Sequence, residues 1–198
     1  TGIICLGRNE NGKTHVVSGE GYKKDFGSSY WIGKTIIEKI IINEGILEID
    51  SDLNEIYKLV LNNFKINNLN EVSKLFKNMP KTVSDIASLA KPIIELAKKE
   101  NDVALSVIQE ATRNVAEYIL LLVSKLNYNS NDIVISGNGS LLKNQFYRKL
   151  INQSLEFDFR KIHWVFSDIS PAYGAGMLAA AYKNINIPIN KIVERIKN

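Results

Sequence analysis

Residues 19–33, GEGYKKDFGSSYWIG, combine a glycine-rich loop with the start of an apolar helix. Three glycines, Gly19, Gly21 and Gly27, can adopt positive φ angles and let a ligand approach the backbone closely. One carboxylate, Asp25, lies among them, and the serine pair that follows can cap the helix. A flexible loop with one acid at a helix N-terminus predicts a site for a polyhydroxy ligand. The alternative is an ordinary glycine-rich connection ahead of a helix.

The second part of this stretch, DFGSSYWIG, resembles the motif D-E-G-S-x-Y-W-I-G of N-acetylglucosamine kinases and archaeal ATP-dependent hexokinases, a group related to the BadF/BadG-type ATPases. In that group the loop closes over the sugar, and the aspartate hydrogen-bonds sugar hydroxyls. The resemblance implies that Asp25 and the backbone of Gly19, Glu20 and Gly21 form the sugar face. Two departures bear on the identity of the sugar. The family usually has Trp where Glu20 stands and Glu where Phe26 stands.

The composition of the 198 residues, with 45% hydrophobic and 23% charged residues, is that of a soluble globular domain or of one lobe of a larger protein. The net charge of +4 comes from scattered residues, which argues against a nucleic-acid partner. The single cysteine, Cys5, excludes a disulfide framework or a cysteine-ligated zinc or iron–sulfur site within one chain. A reducing cytoplasm fits this, and no apolar run is long enough to predict a membrane partner or a signal peptide.

Near the N-terminus, GRNENGKT (residues 7–14) matches the P-loop pattern G-x-x-x-x-G-K-[ST]. A P-loop needs a helix directly after the threonine, whose N–H groups hold the phosphates. Here Thr14 is followed by HVVSG, which does not favour a helix. The alternative is a β-hairpin, with a strand over residues 1–6, a tight primed turn at Asn11-Gly12 and a return strand from His15, and we favour it.

The middle of the chain is predicted to be helical. Apolar periodicity and punctuation predict a helix over residues 28–44 that ends at Gly45, and a long helix to Lys125 capped by Asp102. A helix from Thr82 to about residue 99 should break between Lys91 and Pro92. Two shorter helices are expected at residues 53–64 and 70–77.

The C-terminal part shows strand, turn and helix signals. Asp132–Ser136 predicts a buried strand, the turn Gly137-Asn138-Gly139-Ser140 leads to a helix over residues 141–150, and residues 163–166 predict another strand. A βα turn of this kind is a usual setting for nucleotide groups, although a generic βα turn is the alternative. The turn also resembles the family's adenosine motif, with Asn138 in place of a second glycine. The helix opened by Pro171 resembles the family's P-x-x-G-A-x-x-L-A packing motif.

Other positions are assigned through the resemblance alone. Ala87 falls at the small residue that packs on adenine in the actin-like kinases. Thr1 and Gly2 resemble the end of the family's second phosphate motif, G-T-G-S, and Ile3 stands where the family has serine. Thr1, Gly2, Ala87, Gly137 and Asn138 are therefore the expected ATP-binding residues. On the substrate side, Gly2 and Ile3 join the sugar face.

The resemblance implies an α/β fold: one actin-like (ribonuclease H-like) ATPase lobe, with a mixed sheet flanked by helices, an N-terminal hairpin and a helical middle section. Because no first phosphate loop and no catalytic base are found, residues 1–198 are expected to be the C-terminal lobe of a two-lobe kinase. The last helix, residues 185–198, should pack on the other lobe. Neither His15 nor His163 is assigned a catalytic role, and no metal ligand is assigned in this chain.

The sequence therefore predicts a cytoplasmic, ATP- and Mg²⁺-dependent kinase for a hexose or N-acetylhexosamine, which is expected to be a homodimer. The isolated chain should be inactive. One alternative is a BadF/BadG-type ATPase activator, which needs cysteines for an iron–sulfur cluster. The other is an actin-like lobe without catalytic activity that serves as a binding module.

Overall fold

The computed structural model describes residues 2–77, 83–167 and 171–185. The chain begins with an antiparallel hairpin, β1 (Ile4–Arg8) and β2 (Thr14–Ser18), in which Ile4 faces Ser18 and Leu6 faces Val16. The hairpin prediction is confirmed, and the P-loop interpretation is wrong because Thr14 continues as a strand.

The hairpin turn differs from the predicted primed type. A type I′ turn needs positive φ at both central residues, whereas only Gly12 adopts it here, at +79°. Gly12 donates its N–H to the carbonyl of Asn9 at 2.9 Å, and the Asn9 side chain accepts from Lys13 N at 2.9 Å. A five-residue connection with one left-handed glycine therefore joins the two strands.

Three helices follow the loop that comes after the hairpin: α1 (Ser29–Ile42), α2 (Ser51–Phe64) and α3 (Leu69–Lys77), with a single 3₁₀ turn at Glu44–Ile46. These bounds agree closely with the predicted helices. Helix α1 ends at Asn43 rather than at Gly45, because the Asn43 side chain and N–H both bond to the carbonyl of Lys39.

The next helical segment is broken, but not at the predicted place. It forms α4 (Val83–Ala87) and α5 (Ala90–Lys98), so the break falls at Ser88 and Leu89. Pro92 lies inside the first turn of α5, where an N–H group has no intrahelical acceptor and its loss costs little.

The longest helix is α6 (Asp102–Lys125). Its N-cap is Asn101, whose side chain accepts from Ala104 N at 3.0 Å, and not Asp102 as predicted. Asp102 is the first residue of the helix, and its backbone N–H donates to the carboxylate of Asp52 on α2 at 2.7 Å. Asn101 is buried against α2 and donates to the carbonyl of Asp52 and the carboxylate of Glu55, so tertiary contacts selected the cap.

The C-terminal strands β3 (Asp132–Gly137) and β4 (Lys161–Phe166) form a parallel pair in register. The single helix predicted between them is two helices, α7 (Ser140–Lys143) and α8 (Gln145–Leu155), separated by the N-cap Asn144. After β4, α9 (Pro171–Tyr182) is the last helix among the described residues, which end at Ile185. The predicted helix over residues 185–198 lies outside the described residues except for its first, Ile185.

Helix α6 lies at the centre of the hydrophobic core and packs against α1, α2, α5, α8 and both strands of the hairpin. Its core-facing side chains recur at helical spacing and are fully or almost fully buried: Ala104, Val107, Ile108, Ala111, Thr112, Val115, Ala116, Ile119 and Leu122. This packing places the loop that follows β2 directly over α6.

The expected mixed α/β class is confirmed, with helices flanking small sheets. Among the described residues the strands form two separate two-stranded sheets, not one continuous mixed sheet. One face of these strands packs on the helices. The other face is exposed and apolar, at Ile4, Leu6, Val16, Val134 and Val165.

Within the described ranges, no helix is both long enough and apolar enough to cross a membrane.

Candidate functional site

The loop of residues 19–28, here called the Asp25 loop, connects β2 to α1. Its three glycines all adopt positive φ angles, at +82° for Gly19, +106° for Gly21 and +80° for Gly27, as the sequence predicts. Ser28 is the N-cap of α1, and its hydroxyl accepts from Trp31 N at 3.2 Å. The loop therefore has the left-handed backbone that only glycine adopts without strain.

The carboxylate of Asp25 accepts hydrogen bonds from residues at both ends of the hairpin. Oδ1 accepts from Gly19 N at 3.0 Å and from the Ser18 hydroxyl at 3.1 Å, while Oδ2 accepts from Ile3 N at 3.2 Å. A Cβ on Gly2 would lie 2.5 Å from Oδ2, so the absence of a side chain there permits the close approach. The structure thus brings together four residues assigned to the sugar face from the sequence: Gly2, Ile3, Gly19 and Asp25.

In this conformation the Asp25 side chain is 3% exposed. Burial of a charged group is costly unless it is hydrogen-bonded, and the three donors offset that cost. The sequence interpretation expected the carboxylate to face a ligand cleft. Here the carboxylate is instead buried and accepts from Ile3 N, Gly19 N and the Ser18 hydroxyl.

The other two residues of the predicted sugar face lie at the surface. Glu20 pairs with Lys24 at 2.7 Å, and both side chains are largely exposed. The hydrogen bond that Lys24 donates to the Glu20 carboxylate raises the pKa of Lys24 above its ordinary value. A Cβ on Gly21 would meet nothing within 4 Å, so this part of the loop faces open space.

Two tyrosines that the sequence interpretation missed, one on α6 and one on α8, form hydrogen bonds with the backbone of the Asp25 loop. The hydroxyl of Tyr147, on α8, donates to the carbonyl of Gly27 at 2.8 Å. The hydroxyl of Tyr118, on α6, accepts from Phe26 N at 3.0 Å. These residues are 120 and 92 positions away from their partners, so no local motif could have indicated them.

The predicted nucleotide residues are distributed over separate elements. Ala87 is the last residue of α4 and is half-buried. Gly137 ends β3, where a Cβ would lie 2.6 Å from the ring of Phe166, so its lack of a side chain accommodates this neighbour.

Asn138 is exposed and its side chain accepts from Gly139 N at 2.8 Å. Gly139 has φ +89° and no atom near its Cβ position, which leaves the backbone of this turn open to a ligand. Thr1 lies outside the described residues.

An apolar groove of about 440 Å³ separates the two sheets. It is lined by β1, β3 and the α6 side chains Val115, Ile119 and Leu122, and it also contains Cys5 and Trp164. Burial raises the pKa of the Cys5 thiol to about 11. None of the described His, Cys, Asp or Glu side chains form a group of three or more that could hold a metal ion.

The hairpin, the parallel strand pair and the flanking helices have the mixed α/β organisation of an actin-like ATPase lobe. The model of the BadF/BadG/BcrA/BcrD ATPase family matches residues 1–179, and the chain belongs to this family. Membership supports ATP binding and ATPase-type activity in general. No match to a curated protein is found.

Proposed function

We propose that this chain is part of an ATP-dependent kinase that phosphorylates a hydroxyl of a hexose or N-acetylhexosamine. The observation that carries the proposal is the convergence of Gly2, Ile3 and Gly19 on the Asp25 carboxylate. The residues that resemble the family's phosphate motif therefore lie beside the residues that resemble its sugar loop. A kinase needs this proximity, because the sugar hydroxyl and the terminal phosphate must meet.

The hydrogen bonding of Asp25 suits a sugar hydroxyl. An ionised carboxylate offers about four acceptor positions, and the chain occupies at most three of them, since the single Ser18 hydroxyl proton is shared between Asp25 and the carbonyl of Ile3. A sugar hydroxyl would donate to the remaining position or displace the Ser18 hydroxyl, which is the one side-chain donor of the three. Because Asp25 is buried in this conformation, sugar binding requires movement of the Asp25 loop.

The nucleotide would lie across the open backbone of the Gly137–Gly139 turn, with Asn138 beside it and Ala87 against the base. Thr1 and Gly2 would donate to the terminal phosphates, because a hydroxyl and backbone N–H groups suit phosphate oxygens. Mg²⁺, when bound, would neutralise the phosphate charge. The space beside Gly139 supports this placement, whereas the contact of Gly137 with Phe166 gives it no further support.

In the proposed reaction the sugar oxygen forms a bond to the γ-phosphorus while the bond to the bridging oxygen of ADP breaks. Catalysis of this step depends mainly on positioning and charge stabilisation. The base that takes the hydroxyl proton would come from a second, N-terminal lobe. That lobe, a homodimeric assembly and a cytoplasmic location are parts of the same proposal.

The test is sugar-dependent ADP release by the intact protein that carries this chain. We expect Asp25→Ala to raise the sugar KM strongly while ATP binding is retained. Asp158→Ala, which alters an exposed carboxylate in the turn after α8, is the control and should leave the kinetics unchanged. Unchanged sugar kinetics in Asp25→Ala would show that the sugar site has been assigned incorrectly.

The family match itself favours a second candidate, an ATPase activator of the BadF/BadG type. An iron–sulfur cluster shared between two chains would require cysteine ligands. The sequence offers only Cys5, which lies in β1. Absorption spectra of the anaerobic intact protein would distinguish the candidates, since an iron–sulfur chromophore would support the activator. If the intact protein phosphorylated no hexose at all, the result would instead favour an actin-like binding module without catalytic activity.

A further inference from the structure

The main chain of the Asp25 loop is fixed at three points by tyrosine hydroxyls. Tyr147 donates to the carbonyl of Gly27 at 2.8 Å. Tyr118 accepts from Phe26 N at 3.0 Å and donates to the carbonyl of Lys24 at 3.5 Å, a long bond. The fixed positions lie on both sides of Asp25. The direction of its carboxylate is therefore set by contacts of the loop with α6 and α8 as well as by the groups that donate to the carboxylate.

The environment of Tyr147 makes its contact firm. The side chain is fully buried, and burial raises the pKa of its hydroxyl far above the ordinary value, so the group stays neutral and donates. Gly27 packs directly against the carbonyl of Ala111 on α6, where a Cβ could not fit. A buried carbonyl that loses its donor stays unsatisfied, because no solvent replaces it.

We propose that Tyr118 and Tyr147 are positioning residues for substrate binding. They hold the backbone of residues 24, 26 and 27 so that the Asp25 carboxylate is presented in one orientation. Movement of the loop is then confined to residues 20–23, where Gly21 faces open space. This inference rests on the proposed sugar kinase function, since it assigns the two tyrosines to the same site.

The kinetic test uses Tyr147→Phe and Tyr118→Phe in the intact protein, each of which removes one hydroxyl. Loss of one hydrogen bond that orients a binding residue should raise the sugar KM about five- to tenfold. The kcat and the KM for ATP should stay within about twofold, because the substitution affects sugar binding equally in ground and transition states. An unchanged sugar KM in both variants would overturn the proposal.

Tyr128→Phe is the matched control. The Tyr128 hydroxyl also donates to a backbone carbonyl, that of Asp132 at 2.6 Å, but outside the Asp25 loop. It should leave the sugar KM unchanged. Parallel rises in sugar KM in the control and in the two test variants would indicate a general loss of stability and would reject the positioning role.

Amide hydrogen exchange gives a second measurement that does not depend on activity. Peptides covering residues 19–28 should exchange faster in the two test variants than in wild type and in Tyr128→Phe, while α6 stays protected. Unchanged exchange in the loop would show that the hydroxyls do not hold it. A wild-type protein without sugar-dependent ADP release would reject the sugar kinase function, and the exchange measurement would still decide whether the tyrosines fix the loop.

Discussion

Gly19 donates its backbone N–H to Oδ1 of Asp25 at 3.0 Å, and this bond joins the end of β2 to the carboxylate that also holds the start of β1. A single side chain thereby fixes the hairpin and the following loop relative to each other. The buried carboxylate has a structural role that is separate from any contact with a substrate.

That structural role can be measured with Asp25→Asn, which keeps the shape of the side chain. In either orientation of the amide, its NH₂ group faces a backbone donor, either Ile3 N or Gly19 N. One N–H group is then left without an acceptor, and we expect a loss of about 1–3 kcal/mol in the free energy of unfolding. Urea titration measures this change. Asp158→Asn, at an exposed carboxylate, should change stability by less than about 0.5 kcal/mol, and equal stabilities of the two variants would contradict the expectation.

Three glycines form a graded series for substitution by alanine. Gly45 has ordinary φ and nothing near its Cβ position, so Gly45→Ala should be neutral or stabilise by up to about 1 kcal/mol. Gly21 has open space but φ +106°, so Gly21→Ala should cost about 1–3 kcal/mol in strain. Gly27 has positive φ, and its Cβ would also collide with the Ala111 carbonyl, so Gly27→Ala should cost more than Gly21→Ala. Thermal unfolding gives the order, and any other order would show that the loop relaxes around the new side chain.

The N-cap of α6 is tested by comparing two neighbouring substitutions. Asn101→Ala removes the bond to Ala104 N and the bonds to Asp52 and Glu55, and it should cost about 2 kcal/mol or more. Asp102→Ala should cost less, because it removes only a favourable charge in the first turn, worth about 0.3–1 kcal/mol. The free energies of unfolding of the two variants decide between the caps. A larger effect at Asp102 would restore the cap predicted from the sequence.

The reactivity of Cys5 should depend strongly on pH. Burial raises the pKa of its thiol from 9.0 to about 11, so at pH 8 the native protein holds about a hundredfold less thiolate than the unfolded chain. Alkylation by iodoacetamide should be slower in the native protein by about this factor, and the rate should rise as pH approaches 11. Mass spectrometry of the native and the urea-unfolded protein measures both rates, and equal rates would contradict the shifted pKa.

The same pKa shift affects stability at alkaline pH. Because the folded pKa lies above the unfolded one, the thiol's contribution to stability is complete below pH 9 and is lost as pH rises towards 11. Cys5→Ala should therefore show a smaller loss of stability than wild type between pH 9 and 11. Denaturant titrations at several pH values across this interval compare the two proteins, and identical pH profiles would contradict the expectation.

Local features of the chain could be predicted from the sequence with good accuracy. The hairpin, the helical middle section and the positive φ angles of Gly19, Gly21 and Gly27 follow from turn residues, apolar periodicity and glycine content. The same signals placed the N-cap of α6 one residue too late, at a point where two neighbouring residues could both serve as the cap. Both Asn101 and Asp102 are good N-cap residues, and the contacts of Asn101 with α2 decided between them.

The sequence by itself determined the order of helices and strands and drew attention to Asp25, because periodicity, capping and glycine content act between residues close in the chain. Only the tertiary structure decided which donors surround that carboxylate, which tyrosines hold its loop and that Gly137 accommodates Phe166. These contacts join residues up to 120 positions apart. They depend on how α6 and α8 pack beneath the loop, and side-chain packing between distant segments leaves no periodic signal in the sequence.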